Sequence, residues 1–225
     1  MNLEKRILVL SCCIGISLFS CRENLEKTPG IFELVSPEKS GVHFNNVVEE
    51  NDTFNIMEEQ YMYNGGGVGL GDFNNDNLLD IFFTGNLVSN QLYLNRGNFK
   101  FEEVGEAAGV AAHEIWSSGA TVVDLNNDGW LDIYVSATLH KDSSDRENKL
   151  FINLGVDDKG IPQFEDRARQ YGIADPGYST NSIFFDYDLD GDLDLYVLQD
   201  VLIEREPSKL YKKINDGSSL TNDKK

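Results

Sequence analysis

Cysteine is absent from most of the chain, and so is any long apolar run. All three cysteines fall within the first 21 of 225 residues. The apolar run near the N-terminus, from Ile7 to Phe19, has 13 residues, which is too few to span a bilayer comfortably. It follows Lys5 and Arg6, and this arrangement predicts a signal peptide over residues 1–20 of an exported protein.

The end of the predicted signal peptide and the cysteine after it, Leu18–Cys21, resemble the bacterial lipobox. In a lipobox, cleavage precedes a cysteine that then carries lipid. This resemblance implies that Cys12 and Cys13 are removed with the peptide and that Cys21 anchors a lipoprotein at the outer membrane or cell surface. The alternative is an ordinary cleaved signal peptide. Residues 21–30 are polar and charged, and we interpret them as a tether. The mature protein would then have neither a free thiol nor a disulfide, so its stability must come from packing and bound metal.

Basic residues are also scarce. The chain has 19 Lys and Arg against 38 Asp and Glu, for a formal net charge of −19 at pH 7. Nucleic acids and anionic membrane surfaces are bound through clusters of Lys and Arg, so this balance argues against both as partners. With 40% hydrophobic and 11% aromatic residues the chain is still globular in composition.

Common signatures of catalysis and phosphate binding are missing as well. No Gly-x-Ser-x-Gly motif is present, and no Gly-Lys-Ser/Thr follows the glycine-rich segment Gly65–Gly71. We interpret that segment as a crowded inner strand. The three histidines, His43, His113 and His140, are scattered and lack the spacing of metal ligands. We therefore expect no catalysis within this chain.

What the chain does have is an acidic pattern of nine residues that occurs three times, most clearly at Asp124–Asp132. Side-chain oxygens stand at positions 1, 3, 5 and 9, glycine at position 6 permits a sharp turn, and position 7 offers a backbone carbonyl. Several oxygen ligands in irregular geometry suit Ca²⁺. The predicted side-chain ligands are Asp72, Asn74, Asp76 and Asp80; Asp124, Asn126, Asp128 and Asp132; and Asp186, Asp188, Asp190 and Asp194, while Leu78, Trp130 and Asp192 are predicted to ligate through their carbonyl oxygens.

These loops are not EF-hands, because position 12 lies in an apolar strand where an EF-hand has a bidentate Glu. The remaining alternative is a plain turn, which Asp, Asn and Gly also favour. Carboxylates about 4 Å apart repel by roughly 4 kcal/mol at an effective dielectric of about 20, so a compact loop of this kind calls for a cation. We predict up to three Ca²⁺ ions. The third loop should bind most tightly because it has an extra carboxylate, and the first is the weakest candidate because Asn77 replaces glycine.

The rest of the pattern predicts an all-β protein. Short apolar runs such as Val68–Gly71 lead into the loops, and others such as Ile133–Ser136 leave them. A Leu-aromatic-x-Asn segment follows at Leu92–Asn95 and at Leu150–Asn153, and a Phe-Glu segment with a short helical turn comes after each. We interpret Phe32–Val35 as an earlier copy of the Phe-Glu segment. Four short strands in each 52- to 62-residue unit are typical of the blade of a β-propeller.

Together, the Asp-x-Asp/Asn-x-Asp-Gly-x-x-Asp loop, the small-residue strand before it and the hydrophobic strand after it resemble the FG-GAP/VCBS repeat of integrin-α-like propellers. The segments Tyr63–Gly67, Leu92–Asn95 and Phe184–Asp188 resemble VCBS-repeat lipoproteins of Bacteroidetes type, related to cartilage-acidic-protein-like (ASPIC/UnbV) sequences. The resemblance covers residues 31–200 and implies calcium-stiffened blades used mainly for binding. Propellers close with four to eight blades. We therefore expect an incomplete propeller, in which residues 201–225 begin a truncated blade.

Three functions remain open at this stage. The first is an adhesion or binding module for an unknown protein or glycan. The second is the substrate-holding component of a carbohydrate-processing system, and the third is an enzyme such as a calcium-dependent polysaccharide lyase. Trp116, Trp130 and the pair Phe184–Phe185 are predicted to pack between blades rather than to form a sugar platform.

Overall fold

A computed structural model describes residues 30–200 except 53, 58, 60, 114 and 140–142. Contacts divide the chain into two units, residues 1–35 and 36–225. The predicted signal peptide, Cys21, most of the tether and the tail 201–225 lie outside the described residues. Among the residues that are described, no helix is long and apolar enough to cross a membrane.

In the first unit the described residues 30–35 form neither a helix nor a strand. The side chains of Ile31, Phe32 and Leu34 are almost fully exposed. The prediction that Phe32–Val35 copies the Phe-Glu strand is therefore wrong, since it forms no strand and none of the described strands pairs with it.

The described residues of the second unit form ten strands in three antiparallel sheets. The first sheet comprises β1 (Val68–Gly71), β2 (Asp80–Phe83), β3 (Gln91–Asn95) and β4 (Phe101–Glu103); the second comprises β5 (Trp116–Val123), β6 (Asp132–Thr138), β7 (Lys149–Val156) and β8 (Pro162–Asp166); the third comprises β9 (Ser179–Phe185) and β10 (Asp194–Gln199). Within each sheet, every strand pairs with the next one along the chain, as in a propeller blade. The prediction of an all-β, incomplete propeller is confirmed by two four-stranded sheets and a two-stranded third one in the described part of the chain.

Short helical turns follow β4 and β8. They are α2 (Gly105–Ala108) and α3 (Ala168–Tyr171), and a similar turn, α1 (Pro37–Ser40), precedes the first sheet; a 3-10 turn, η1 (Ser143–Arg146), follows β6. Each α turn ends at a glycine with positive φ, and these glycines are Gly41, Gly109 and Gly172. Glycine adopts this conformation without steric cost, so it stops the helix after one turn.

The core lies between successive sheets because alternate residues of one strand face opposite sides. Ile133 and Val135 of β6 pack toward the first sheet, where Phe82 and Leu94 are fully buried. Tyr134, between them in sequence, packs toward the third sheet, with its ring 5.6 Å from that of Phe184. The middle sheet is thus buried on both faces.

The inner strands β1, β5 and β9 approach one another very closely. A Cβ atom on Gly67 would lie 2.6 Å from the backbone nitrogen of Ala120, and one on Gly119 would lie 2.8 Å from the carbonyl oxygen of Thr180. These distances exclude any larger residue without movement of the backbone. The prediction of a crowded inner strand is therefore confirmed for Val68–Gly71, which is β1, while Gly65–Gly67 precede the strand.

Candidate metal centre

The three acidic loops occupy equivalent places, each joining the first strand of a sheet to the second. Position 9 of each loop is the first residue of the outgoing strand: Asp80 begins β2, Asp132 begins β6 and Asp194 begins β10. All three loops therefore lie at the same end of their sheets.

The backbone of each loop turns twice through the left-handed region, at positions 4 and 6. The residues with positive φ are Asn75 and Asn77 in the first loop, Asn127 and Gly129 in the second, and Leu189 and Gly191 in the third. This folds the loop around the carboxylate at position 1. Asp124 accepts hydrogen bonds from the amides of Asp128 at 3.1 Å and Gly129 at 2.9 Å, and Asp72 accepts the equivalent pair from Asp76 and Asn77.

The carboxylate at position 9 closes the loop from within. Asp80 is fully buried and accepts hydrogen bonds from the amides of Phe73 at 3.0 Å and Asn95 at 2.8 Å. Asp132 is equally buried and accepts the same pair from Leu125 and Asn153. Burial raises the pKa of Asp80 to about 6 and raises the pKa of Asp132, because it takes the carboxylate out of water and so disfavours its charged form.

The third loop differs, because its carboxylates converge without a full set of hydrogen bonds. One oxygen each from Asp186, Asp188 and Asp194 lie within 4.8 Å of one another. Asp194 accepts the amide of Tyr187 at 2.9 Å. Oδ1 of Asp186 is buried and has no hydrogen-bond partner among the described residues. A buried oxygen that carries charge needs a partner.

The third loop does not bring every predicted ligand together. Asp190 lies outside the group of three carboxylates and instead accepts the amide of Asp192 at 3.2 Å. This contact lowers the pKa of Asp190, and a hydrogen bond between their side chains raises the pKa of Asp192. The side chain of Asp192 is exposed, as predicted, but it contacts Asp190.

The first two loops satisfy their polar groups internally. The side-chain amide of Asn74 donates to Asp76 at 3.0 Å, and that of Asn126 donates to Asp128 at 2.8 Å. Each position-5 carboxylate also accepts the amide of position 7, Leu78 in the first loop and Trp130 in the second. In the described part of the chain, a group of three acidic side chains close enough for one cation occurs in the third loop alone.

These donors fit Ca²⁺. They are oxygens from carboxylates, amides and the backbone, and nitrogen and sulfur ligands, which softer metals prefer, are missing from the three loops. The residues that would hold the ion in the third loop are Asp186, Asp188 and Asp194. The cation would supply positive charge to the buried oxygen of Asp186 and offset the repulsion among the three carboxylates.

Two asparagines that position these loops, Asn153 and Asn75, were not predicted as functional. Asn153, within β7, donates its side-chain amide to the carbonyl of Phe73 in the first loop at 2.9 Å, and its backbone amide to Asp132. Asn75, at position 4 of the first loop, donates to the carbonyl of Gly129 in the second loop at 3.2 Å. The repeated Asn of the Leu-aromatic-x-Asn segment was the sequence signal available for Asn153. No pattern within a single loop reveals the contact of Asn75 with the neighbouring loop.

Comparison with known proteins agrees with this geometry. Residues 72–135 match the family model of the FG-GAP-like repeat. This segment is an FG-GAP-like repeat. It begins at position 1 of the first loop and runs through the second loop into β6, so it spans one full period of the pattern. FG-GAP-like repeats are typically binding modules rather than catalytic ones. No curated protein matches the chain.

Proposed function

We propose that the chain is a calcium-stiffened binding module of the bacterial cell envelope, attached to the membrane through lipid on Cys21. The observation that carries the calcium part is the third loop, where three carboxylates converge and Oδ1 of Asp186 is buried without a partner. The FG-GAP-like repeat at residues 72–135 supports the binding role. The net charge of −19 supports a partner other than nucleic acid.

In this proposal calcium stabilises the blades and takes no part in a reaction. The position-9 carboxylates begin the outgoing strands, so a cation held at the loop fixes the start of β2, β6 and β10 relative to the strands before them. A ligand at ten times its dissociation constant adds about 1.4 kcal/mol to the free energy of unfolding. Filling three loops would therefore stabilise the protein by several kcal/mol.

The test of the calcium site compares Asp188→Asn with Asp158→Asn. Asp188 is exposed and belongs to the converging group, whereas Asp158 is an exposed aspartate in the turn between β7 and β8. Both changes remove one negative charge. We expect isothermal titration calorimetry to show that Asp188→Asn loses the tightest calcium site and that Asp158→Asn keeps it. Equal calcium binding and equal melting temperatures for both variants would contradict the proposal.

The anchor is tested separately with Cys21→Ser. If Cys21 carries lipid, the wild-type protein expressed in a bacterial host incorporates labelled fatty acid and sediments with membranes, and the variant does neither. Labelling of both proteins, or of neither one, would contradict the lipid anchor but leave the calcium proposal standing.

A further inference from the structure

We infer that a cavity at the end of the inner strands opposite the acidic loops binds one ring of a neutral sugar. This inference rests on the proposed role as a binding module, but it does not depend on calcium. The cavity has a volume of about 140 Å³. It is lined by Tyr61, Asn64, Gly65, Gly66, Trp116, Ser118, Thr138, Leu139, Thr180 and Asp200.

The position of the cavity follows from the strand directions. Trp116 begins β5 and Thr138 ends β6, whereas the second acidic loop joins the other ends of these two strands. At about 3.3 Å per residue, β5 separates the cavity from the loop by roughly 20 Å. The cavity and the candidate calcium site are therefore distinct and can be tested independently.

Several polar side chains of the cavity are available to a ligand. Asn64, Thr138 and Asp200 make no side-chain hydrogen bond to any residue that the structure describes. Ser118 donates its hydroxyl to the carbonyl of Ser179 at 2.7 Å, and Thr180 donates to the carbonyl of Leu198 at 3.1 Å, so both hydroxyl oxygens can still accept. Donors and acceptors placed side by side match the hydroxyl groups of a sugar.

The aromatic residues give the cavity an apolar wall. Tyr61 is 41% exposed, so part of its ring is free to contact a ligand. Trp116 is held in place by packing against Phe54, with ring centroids 5.4 Å apart, and is 6% exposed. It therefore serves mainly as packing, and little of its surface is open to a ligand. An aromatic wall with a few polar groups is the usual composition of a small-ligand site.

Charge and size narrow the ligand class. Among the described residues that line the cavity there is no Lys, Arg or His, and Asp200 is one of them, so this part of the lining disfavours phosphates, sulfates and uronic acids. The volume equals that of about five water molecules at roughly 30 Å³ each, which suits a single sugar ring better than a larger ligand. A longer glycan would place one residue here and extend into solvent.

The experiment titrates the purified protein with glucose, galactose, mannose and N-acetylglucosamine, and with sodium glucuronate and choline chloride as charged probes. We expect saturable binding of at least one neutral sugar with a dissociation constant on the order of millimolar, measured by calorimetry and saturation-transfer NMR. Glucuronate and choline should not bind. Preferential binding of choline, or the absence of saturable binding by all four neutral sugars, would overturn the inference.

Variants locate the site. Thr138→Val and Asn64→Ala should each weaken sugar binding by about 3- to 10-fold, because each removes a hydrogen-bonding group. Thr138→Ser keeps the hydroxyl and should retain affinity, and Asn45→Ala, at an exposed asparagine outside the cavity, should have no effect. Circular dichroism confirms that each variant folds. Equal sugar affinity in Thr138→Val, Asn64→Ala and wild type would place the sugar elsewhere and overturn the inference.

Titrations in calcium and in chelator separate this inference from the proposed function. If calcium binds and no sugar does, only the sugar site fails. If sugar binds and calcium does not, only the calcium proposal fails.

Discussion

Position 4 of each acidic loop adopts a left-handed backbone, and the three loops meet this requirement unequally. Asn75 and Asn127 suit the conformation, because asparagine tolerates positive φ better than most residues. Leu189, with φ of 63°, is a poorer choice and is also 86% exposed, so it gains little from burial.

Leu189→Asn should therefore stabilise the protein by about 0.5 to 1 kcal/mol, through relief of backbone strain. Urea denaturation in chelator measures this without a contribution from metal. Leu87→Asn is a suitable control, since Leu87 is 52% exposed and its φ is not positive. A gain of the same size in both variants would mean that polarity rather than backbone conformation is responsible.

Tyr134 of the middle sheet has a buried hydroxyl, which donates to the carbonyl of Ile173, between α3 and β9, at 2.7 Å and accepts from Asn148 at 3.0 Å. Burial raises its pKa to about 12. Because the folded pKa exceeds the unfolded value of about 10, the stabilisation is complete below pH 10 and is lost as the pH rises toward 12.

The free energy of unfolding should thus fall by up to about 3 kcal/mol between pH 10 and pH 12 on account of this group. Tyr134→Phe should be less stable at pH 8, because the Ile173 carbonyl loses its donor, but should show a smaller decline above pH 10. Urea denaturation across this range provides the comparison. Parallel declines in the two proteins would contradict the assignment to Tyr134.

At the scale of elements, an asparagine in the third strand of each four-stranded sheet ties that sheet to its acidic loop. The side chain of Asn95 donates to the carbonyl of Leu79 at 3.0 Å and accepts the amide of Gly97 at 2.9 Å. Asn153 makes the equivalent bonds to Leu131 and Gly155, and adds the bond to Phe73 in the first acidic loop. Asn153 is fully buried, whereas Asn95 is partly exposed.

Asn153→Ala should accordingly destabilise the protein by about 2 to 4 kcal/mol and Asn95→Ala by about 1 to 2 kcal/mol, since buried groups left without partners cost more. Urea denaturation measures both differences. The critical result is which variant loses more free energy of unfolding. A larger loss for Asn95→Ala would show that the bond to Phe73 contributes nothing to stability.

Strand order and loop position could be predicted because both depend on local patterns. Val68–Gly71 was predicted as a strand and is β1 with those bounds. The second inner strand is longer than its apolar part suggested: it begins at Trp116, since Ser117, Ser118 and Gly119 fit the crowded centre, where bulky residues do not. Phe32–Val35 has the residue types of a strand but pairs with none of the described strands, and a sequence pattern does not show which segments will pair.

In the acidic loops, too, the sequence pattern predicts some features and leaves others to the folded geometry. Spacing identified the candidate ligands in all three, and Asn77, which replaces the glycine of the pattern, adopts the left-handed conformation. Spacing could not show that Asp190 turns toward Asp192, because this depends on competition between hydrogen bonds within the loop. It also could not show contacts between loops, which arise only when separate sheets pack together.

At the scale of the whole unit, the first two acidic loops are joined and the third is not. Asn75 donates across to Gly129, and Asn153 bonds both to Asp132 of the second loop and to Phe73 of the first. Among the described residues, no hydrogen bond joins the second loop to the third. If cations order these loops, ordering one of the joined loops lowers the cost of ordering the other, and their affinities are coupled.

The coupling can be measured at the second loop with terbium, a calcium analogue whose luminescence is sensitised by a nearby tryptophan. Trp130 lies in the second loop, and Trp116 lies at the far end of β5. Asp76→Asn, which disables the first loop, should weaken terbium binding at the second loop by about 2- to 5-fold, as expected for one or two weak hydrogen bonds. Asp188→Asn, which disables the unconnected third loop, should leave that affinity unchanged.

Asn75→Ala tests whether the bond between loops carries this effect. In the Asn75→Ala background the further loss caused by Asp76→Asn should shrink, because part of the connection is already gone. Asn127→Ala is the matched control, since Asn127 occupies the same left-handed position in the second loop and makes no side-chain hydrogen bond to another loop in the described structure. If Asp76→Asn weakens terbium binding equally in the Asn75→Ala and Asn127→Ala backgrounds, the coupling does not pass through Asn75. The buried bond between Asn153 and Phe73 is then the remaining connection.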